Sequence, residues 1–225
     1  MTSLNVKALL GFAFLAATTG LLVFIPAGTS RYWQAWVFLA AFFTPAGLIG
    51  VYLARNDPAL ERRRLSAGPM AEKTAAQKII MIVISTGFVG LLAVPAFDHR
   101  FGWSHVPVSI VIAGDVLIIV GFAITFLAFR ENSFAAATVE IADEHRLVSS
   151  GPYALVRHPQ YAGAFLYLLG MPLALGSYWG LLVLVPTTAA LIWRLFDEES
   201  LLAKQLPGYA EYRQRTRWRL IPAIF

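Results

Sequence analysis

The chain has 225 residues, 58% of them hydrophobic and 14% charged, with a net charge of +5 and a mean hydropathy of +0.64; this is too apolar for a soluble domain and fits a bundle that crosses a bilayer. The absence of cysteine excludes a disulfide framework, a thiolate nucleophile and a Cys-ligated metal, and four histidines (99, 105, 145 and 158) with no i, i+4 pair argue against a zinc site. The positive charge suits anionic lipid headgroups rather than nucleic acid, since no soluble basic domain is present to hold a duplex.

A helical span needs about 20 residues to cross ~30 Å of hydrocarbon, and the runs 4–25, 33–54, 78–97 and 108–129 meet that length. The first lacks a basic n-region and a small-x-small cleavage site before Pro26, so it reads as a retained span rather than a secretory signal. After the second, Asp57 is an N-cap ahead of Pro58, and Gly68-Pro69 ends the helical run. A short interfacial helix over 58–65 is predicted, carrying Arg62, Arg63 and Arg64 as an anchoring, topology-setting cluster. Trp33, Trp36, Trp103 and Trp179 fall near span ends, where belt aromatics sit. Asp115 is the one acidic residue within the spans and is expected to make a helix–helix hydrogen bond.

The last apolar stretch, 160–196, is too long for one span and is broken at Gly176-Ser177-Tyr178-Trp179-Gly180. It reads as a helical hairpin with arms of about 16 residues, roughly 24 Å each. With six crossing segments and a cytoplasmic N-terminus, 16 of the 18 Lys and Arg fall on the cytoplasmic side, as the positive-inside rule expects. The expected fold is therefore an all-α integral membrane protein, one domain over 1–225, with four spans plus a C-terminal hairpin and both termini cytoplasmic.

Residues 145–163 break the apolar pattern with a dense block of His, Arg, Tyr, Gly and Pro. Lipid-facing helices have no use for such a cluster, whereas a site that grips a polar ligand at the membrane surface does. Ser150-Gly151-Pro152-Tyr153 reads as a turn, and Pro159 starts a helix whose free N–H groups and positive dipole suit a carboxylate. The hairpin returns to the same face, so Arg157-His158-Pro159 at its entrance and Asp197-Glu198-Glu199 at its exit converge. Leu195, Glu198 or Glu199, Leu202 and Leu206 share a helix face, which turns at least one carboxylate inward. A surface Arg194–Glu198 pair, worth under about 1 kcal/mol, accounts for one acid and leaves the other unexplained. His158 alone fits a capping role and Tyr161 alone fits interfacial packing; their combination at one interface points to a site.

Asn132-Ser133-Phe134, His145-x-Leu147-Val148, Ser150-Gly151-x-Tyr153-Ala154, Arg157-His158-Pro159-x-Tyr161-x-Gly163, Glu198-Glu199, Tyr209-x-x-Tyr212-x-x-Arg215 and Pro222 occur in an order and spacing that resembles the isoprenylcysteine carboxyl methyltransferase family and the related phospholipid methyltransferases. The pairing of RHPxYxG with a downstream EE is the specific part, and residues 1–130 carry no comparable signature. The resemblance implies an integral membrane enzyme that uses cytosolic S-adenosylmethionine to methylate a lipid-like or isoprenoid acceptor. Its cofactor pocket would lie on the cytoplasmic side between hairpin and tail, without a Rossmann domain; no GxGxxG is present. Residues 131–225 would form the cofactor-binding core, and 1–130 the variable spans and substrate tunnel.

Carried over by position, His145, Leu147, Gly151, Tyr153, Arg157, His158, Pro159, Tyr161 and Gly163 would surround the cofactor, with Glu198 or Glu199 accepting bonds from its ribose hydroxyls. Arg157 or Arg215 would hold the acceptor as the catalytic residue, although Arg213, Arg217 and Arg219 beside Arg215 also suit headgroups. The implied partners are membrane lipids and a lipophilic small-molecule or prenylated acceptor, with no metal and no nucleic acid. Carboxyl O-methylation needs no general base and rests on positioning and desolvation. Phospholipid amine N-methylation would need a base, for which His145, His158 or the spare Glu are candidates. A sterol-reductase-type NADPH enzyme shares the RHPxY segment, but an acidic residue is expected there after the motif glycine, where Ala164 stands. A transporter or scaffold offers a further contrast, yet the spans hold no charged pathway.

Overall fold

The computed structural model describes residues 3–65, 68–72, 74–135, 137–139 and 146–225. The described chain folds into eight α-helices: α1 (Ser3–Ala27), α2 (Trp33–Asn56), α3 (Pro58–Leu65), α4 (Ala75–Phe101), α5 (Val108–Glu131), α6 (Pro159–Ala174), α7 (Gly180–Gln205) and α8 (Tyr209–Arg215). Short 3-10 turns occupy Pro69–Ala71 and Gly151–Ala154, and no strand occurs among the described residues. The interfacial helix α3 begins as its cap predicts, with Leu60 N donating to Asp57 Oδ1 at 3.0 Å. The start of α4 is capped by Thr74, whose hydroxyl accepts from Gln77 N at 3.2 Å.

Five helices, α1, α2, α4, α5 and α7, are long and apolar enough to cross a membrane. The hairpin arms are unequal, not matched as the apolar pattern predicts: α6 has 16 residues and α7 has 26. Beyond Phe196 the apolar run ends, but residues 197–206 are mostly strong helix formers and no Gly or Pro intervenes before Pro207-Gly208. The helix therefore continues past the apolar stretch.

α5 and α6 pack antiparallel along a seam of glycines. A Cβ on Gly121 would lie 2.5 Å from Gly163 O, and one on Gly163 would lie 2.5 Å from Gly121 O. Seven residues along each helix the pattern repeats, with a Cβ on Gly170 falling 2.5 Å from Gly114 O. Only glycine permits this backbone approach, the small-residue device of helix pairs in lipid. The seam also fixes relative heights. From the Gly121–Gly163 crossing, α5 runs on to Glu131, roughly 15 Å, while α6 starts at Pro159, only roughly 6 Å away. The N-terminus of α6 is thus recessed by about 9 Å below the end of α5, and the recess holds the candidate site.

At the opposite end of the bundle, Asp98 on α4 is 1% exposed and accepts from Ser104 N and Ser104 Oγ, both at 2.6 Å, and from Ser177 Oγ at 2.5 Å. One carboxylate thereby ties the α4–α5 loop to the hairpin tip, and Tyr32 adds a hydroxyl bond to Leu175 O. Asp98→Ala strands these donors and is expected to cost on the order of 3 kcal/mol, read as a lower Tm in detergent; an unchanged Tm would show that other contacts hold the two loops. Asp115 departs from its expected role. It is buried, and both carboxylate oxygens lack a hydrogen-bond partner among the described residues. At this height α6 contributes Gly170 and Ala174, neither of which carries a side-chain N–H or O–H donor.

Candidate active site

Pro159 begins α6, and the two residues before it run beside the C-terminal tail. Arg157 N donates to Trp218 O and His158 N to Arg219 O, each at 2.9 Å. Their side chains meet Glu199 on α7. Arg157 Nε donates to Glu199 Oε1 at 2.6 Å, His158 Nε2 lies 3.3 Å from the same oxygen, and Arg219 Nε donates to Glu199 Oε2 at 2.9 Å. Arg157 Nη1 also donates to Thr216 O at 2.9 Å and Arg217 O at 2.7 Å. Arg157, His158 and Glu199 are all buried. The expected convergence of charge from both ends of the hairpin is therefore present, as a node joining α6, α7 and the tail.

Successive residues on a helix point about 100° apart, so the neighbouring acid faces elsewhere. Glu198 accepts from Tyr161 Oη at 2.7 Å and lines a cavity of about 310 Å³ in the recess above α6. Helix position divides the lining: toward the bundle centre it is apolar, at Met81, Ile84, Ala164 and Leu191 with Tyr167 beside them, whereas toward the ends of the helices it carries Tyr153, Arg157, His158, Glu198, Tyr209 and Tyr212, with Leu147, Leu202 and Leu206 packed among the tyrosines of α8.

Of the residues expected at the site, Leu147, Tyr153, Arg157, His158, Tyr161 and Glu198 line this cavity. Glu199 is buried in the node behind it. Gly151, at φ +54°, starts the 3-10 turn that delivers Tyr153; Pro159 is the first residue of α6; Gly163 belongs to the seam with α5. These three position the site without lining it. His145 lies outside the described residues. Arg215 is exposed on α8 and borders a separate cavity with Glu211 and Thr216, so the structure does not bring it to Arg157.

Three lining residues have no site role on sequence grounds. Tyr209 is buried with its hydroxyl unpartnered among the described residues, and burial, with Glu199 nearby, raises its pKa and keeps it protonated. Its spacing from Tyr212 was a usable signal: the pair turns inward from α8, and Tyr212 Oη donates to Tyr153 O at 2.7 Å. Arg194 is buried, not in a surface pair with Glu198. Its Nη1 lies 2.8 Å from Glu72 Oε1 and donates to Gln77 Oε1 at 2.7 Å, and Nη2 donates to Ala137 O at 2.7 Å. Arg64 reaches the cavity from α3, a placement no local pattern announces.

Residues 109–207 match the family model described as Phospholipid methyltransferase, a segment that contains nearly all of α5, the motif block, α6 and α7. The chain is 33% identical over 78 residues to Protein-S-isoprenylcysteine O-methyltransferase of Schizosaccharomyces pombe, covering 32% of this chain and 31% of that protein. It is 30% identical over 147 residues to the Cobalt-zinc-cadmium resistance protein CzcN of Cupriavidus metallidurans, 56% of this chain and 63% of that one. These two matches thus span less than two thirds of the relatives' own lengths. A Probable protein-S-isoprenylcysteine O-methyltransferase of Oryza sativa subsp. indica aligns over 188 residues at 26% identity, 81% of this chain and 93% of that protein. A solved eukaryotic intramembrane Ras methyltransferase, isoprenylcysteine carboxyl methyltransferase, aligns with 99% of this chain and 88% of its own at 19% identity and a TM-score of 0.34, an overlap too loose to carry residue correspondences. Over its C-terminal core the chain is thus similar to the phospholipid methyltransferases and to the isoprenylcysteine carboxyl methyltransferases.

Proposed function

We propose that the protein is an S-adenosylmethionine-dependent methyltransferase that methylates the carboxyl group of a lipid-like or isoprenoid acceptor at the cytoplasmic membrane interface. The observation that carries this reading is the divided lining of the cavity, polar at Glu198 and Tyr209 and apolar at Met81, Ile84 and Leu191. The polar end fits the cofactor. Glu198 retains acceptor capacity beyond its bond from Tyr161 and suits ribose hydroxyls, and the buried Tyr209 hydroxyl, unpartnered among the described residues, suits a polar group of the ligand. When bound, S-adenosylmethionine supplies an electrophilic methyl group on a sulfonium.

The protein's part is to bind, orient and exclude water. Tyr153, Tyr161 and Tyr212 offer ring faces that attract a cation, and the apolar end keeps a carboxylate acceptor dry and near the methyl group. Arg157 lines the cavity while its bonds to Glu199 and the tail carbonyls hold the wall in place. Arg215 has no role in this reading. Residues 131–225 supply the polar end, and residues from 1–130, including Met81 and Ile84, supply apolar lining. The basic segments around 55–78, 130–157 and beyond 194 gather at the cavity end, which supports a cytoplasmic orientation for it.

Calorimetry on the detergent-purified protein tests the reading. S-adenosylhomocysteine is expected to bind at micromolar concentration and NADPH not to bind. Glu198→Gln, which exchanges a charge-assisted bond for a neutral one, is expected to weaken S-adenosylhomocysteine by about tenfold with little change in Tm. Binding of NADPH alone would replace the methyltransferase reading with a reductase.

A further inference from the structure

The cations that line the cavity differ in how they are neutralised. Arg157 faces Glu199, and Arg194 faces Glu72. Arg64 forms no ion pair among the described residues. Its Nη1 donates to Ala135 O at 3.0 Å, and its guanidinium carbon lies 4.1 Å from the centroid of the Phe129 ring. Glu61, one turn earlier on α3, is buried but does not line the cavity. The placement of Arg64 is fixed by packing: Leu60 on the same short helix is fully buried with Leu53 and Phe129. A rigid guanidinium therefore enters the cavity with part of its donor fork uncommitted.

Its surroundings partly desolvate the charge. Burial lowers the pKa of Arg64 to about 10, and the nearby Tyr167, Tyr153 and Tyr161 offset this only in part. Arg64 is half-buried at the cavity wall, stays charged at neutral pH, and, with no ion pair among the described residues, is stabilised when an anion arrives. The position also matters. Arg64 approaches from α3 and the end of α5, a wall different from that of Glu198 on α7, and its neighbour Tyr167 stacks on Phe122 at 5.0 Å in the aromatic core. It stands where polar lining gives way to apolar.

We propose that Arg64 is the anion subsite for the methyl acceptor, holding a carboxylate whose hydrocarbon chain lies along Met81, Ile84 and Leu191. The proposal rests on the methyltransferase reading and narrows it: the acceptor is an anionic amphiphile, not an amine. Arg64 holds one carboxylate oxygen, and the other forms the new bond to the methyl carbon as the carbon–sulfur bond breaks and leaves its electron pair on sulfur. No proton moves, so no base is required. A protonated amine in the same place would meet an uncompensated positive charge and be disfavoured.

The test uses the full chain in nanodiscs of neutral lipid, saturated with S-adenosylhomocysteine and titrated with dodecanoate, dodecylamine and dodecyl phosphate. Dodecanoate is expected to bind the wild type at least about tenfold more tightly than dodecylamine, to lose about tenfold in Arg64→Gln and to recover partly in Arg64→Lys. S-adenosylhomocysteine affinity is expected to be the same in all three proteins. Dodecanoate binding that ignores Arg64→Gln and Arg64→Lys alike overturns the proposal. So does a fall in S-adenosylhomocysteine affinity in the variants, which would assign Arg64 to the cofactor's carboxylate. Dodecyl phosphate binding in clear preference to dodecanoate would make the subsite one for a lipid phosphate and equally overturn it. Failure of S-adenosylhomocysteine to bind the wild type would instead remove the methyltransferase reading itself, so the two failures are separable.

Discussion

Replacing Glu199 by alanine is expected to abolish S-adenosylhomocysteine binding and to destabilise the protein by about 3–5 kcal/mol, the range for removing one partner of a buried ion pair. Glu199 is the shared acceptor for Arg157 and Arg219 and lies against His158. Without it the Arg157 side chain, 4% exposed, keeps its charge in a buried setting with only backbone carbonyls to face it. Arg219, at 28% exposed, can turn to solvent and suffers less. The tail then loses its side-chain anchor to α7, the Arg219–Glu199 pair, and the polar wall formed by Tyr209 and Tyr212 loses its backing. Thermal unfolding in detergent and calorimetry check this together. The contrast with Glu198→Gln is diagnostic, since that variant should lose affinity while keeping its Tm. A Glu199→Ala protein that melts like the wild type would show that the tail is held by its backbone bonds alone.

Gly163→Val should be nearly as damaging for a different reason. The new Cβ would meet Gly121 O and Thr125 Oγ1, each at 2.5 Å, and Thr125 N at 3.1 Å. Two of these three atoms are backbone and cannot rotate away, so the helices must separate. Overpacking of this kind costs about 1–3 kcal/mol, and the upper end is expected because separating α5 from α6 also loosens the Gly114–Gly170 crossing. The recess would shift with α6, carrying His158 and Tyr161 away from α7, so binding and Tm should fall together. Gly50→Val on α2 is the matched control: a Cβ there meets nothing within 4 Å, and its effect should be small. Equal behaviour of the two variants would mean that the seam is not tight in the membrane.

Much of this architecture was legible in the sequence because apolar length and helix punctuation are local signals. The short helix at Pro58–Leu65 is announced by Asp57-Pro58, and α1, α2, α4 and α5 by runs of apolar residues. The motif block and the paired acids pointed to one interface, and the node at Glu199 lies there. The division of labour between Glu198 and Glu199 was not legible, because helix phase at that point depends on how α7 meets α6. Arg194 read as half of a surface pair, since its buried partners Glu72 and Gln77 lie over a hundred residues away in sequence. Arg64 read as one of three anchoring arginines. Its difference from Arg62 and Arg63 arises only where α3 docks on Phe129 and Ala135, a tertiary contact that composition does not encode. That Asp115 has no hydrogen-bond partner among the described residues likewise depends on what α6 happens to present.

The glycine seam between α5 and α6 also decides how the cavity exchanges its contents. Two backbones in contact at successive crossings cannot slide or part without breaking both, so that side of the cavity behaves as a fixed frame. The tail is clamped at Glu199, where several charged bonds must open at once. The wall made by α3 is fastened more lightly, through Leu60 and the carbonyl bonds of Arg63 and Arg64 to Ser133 and Ala135. Of the walls around the cavity, the one at α3 therefore has the fewest charged bonds to break, and local opening is expected to cost least there.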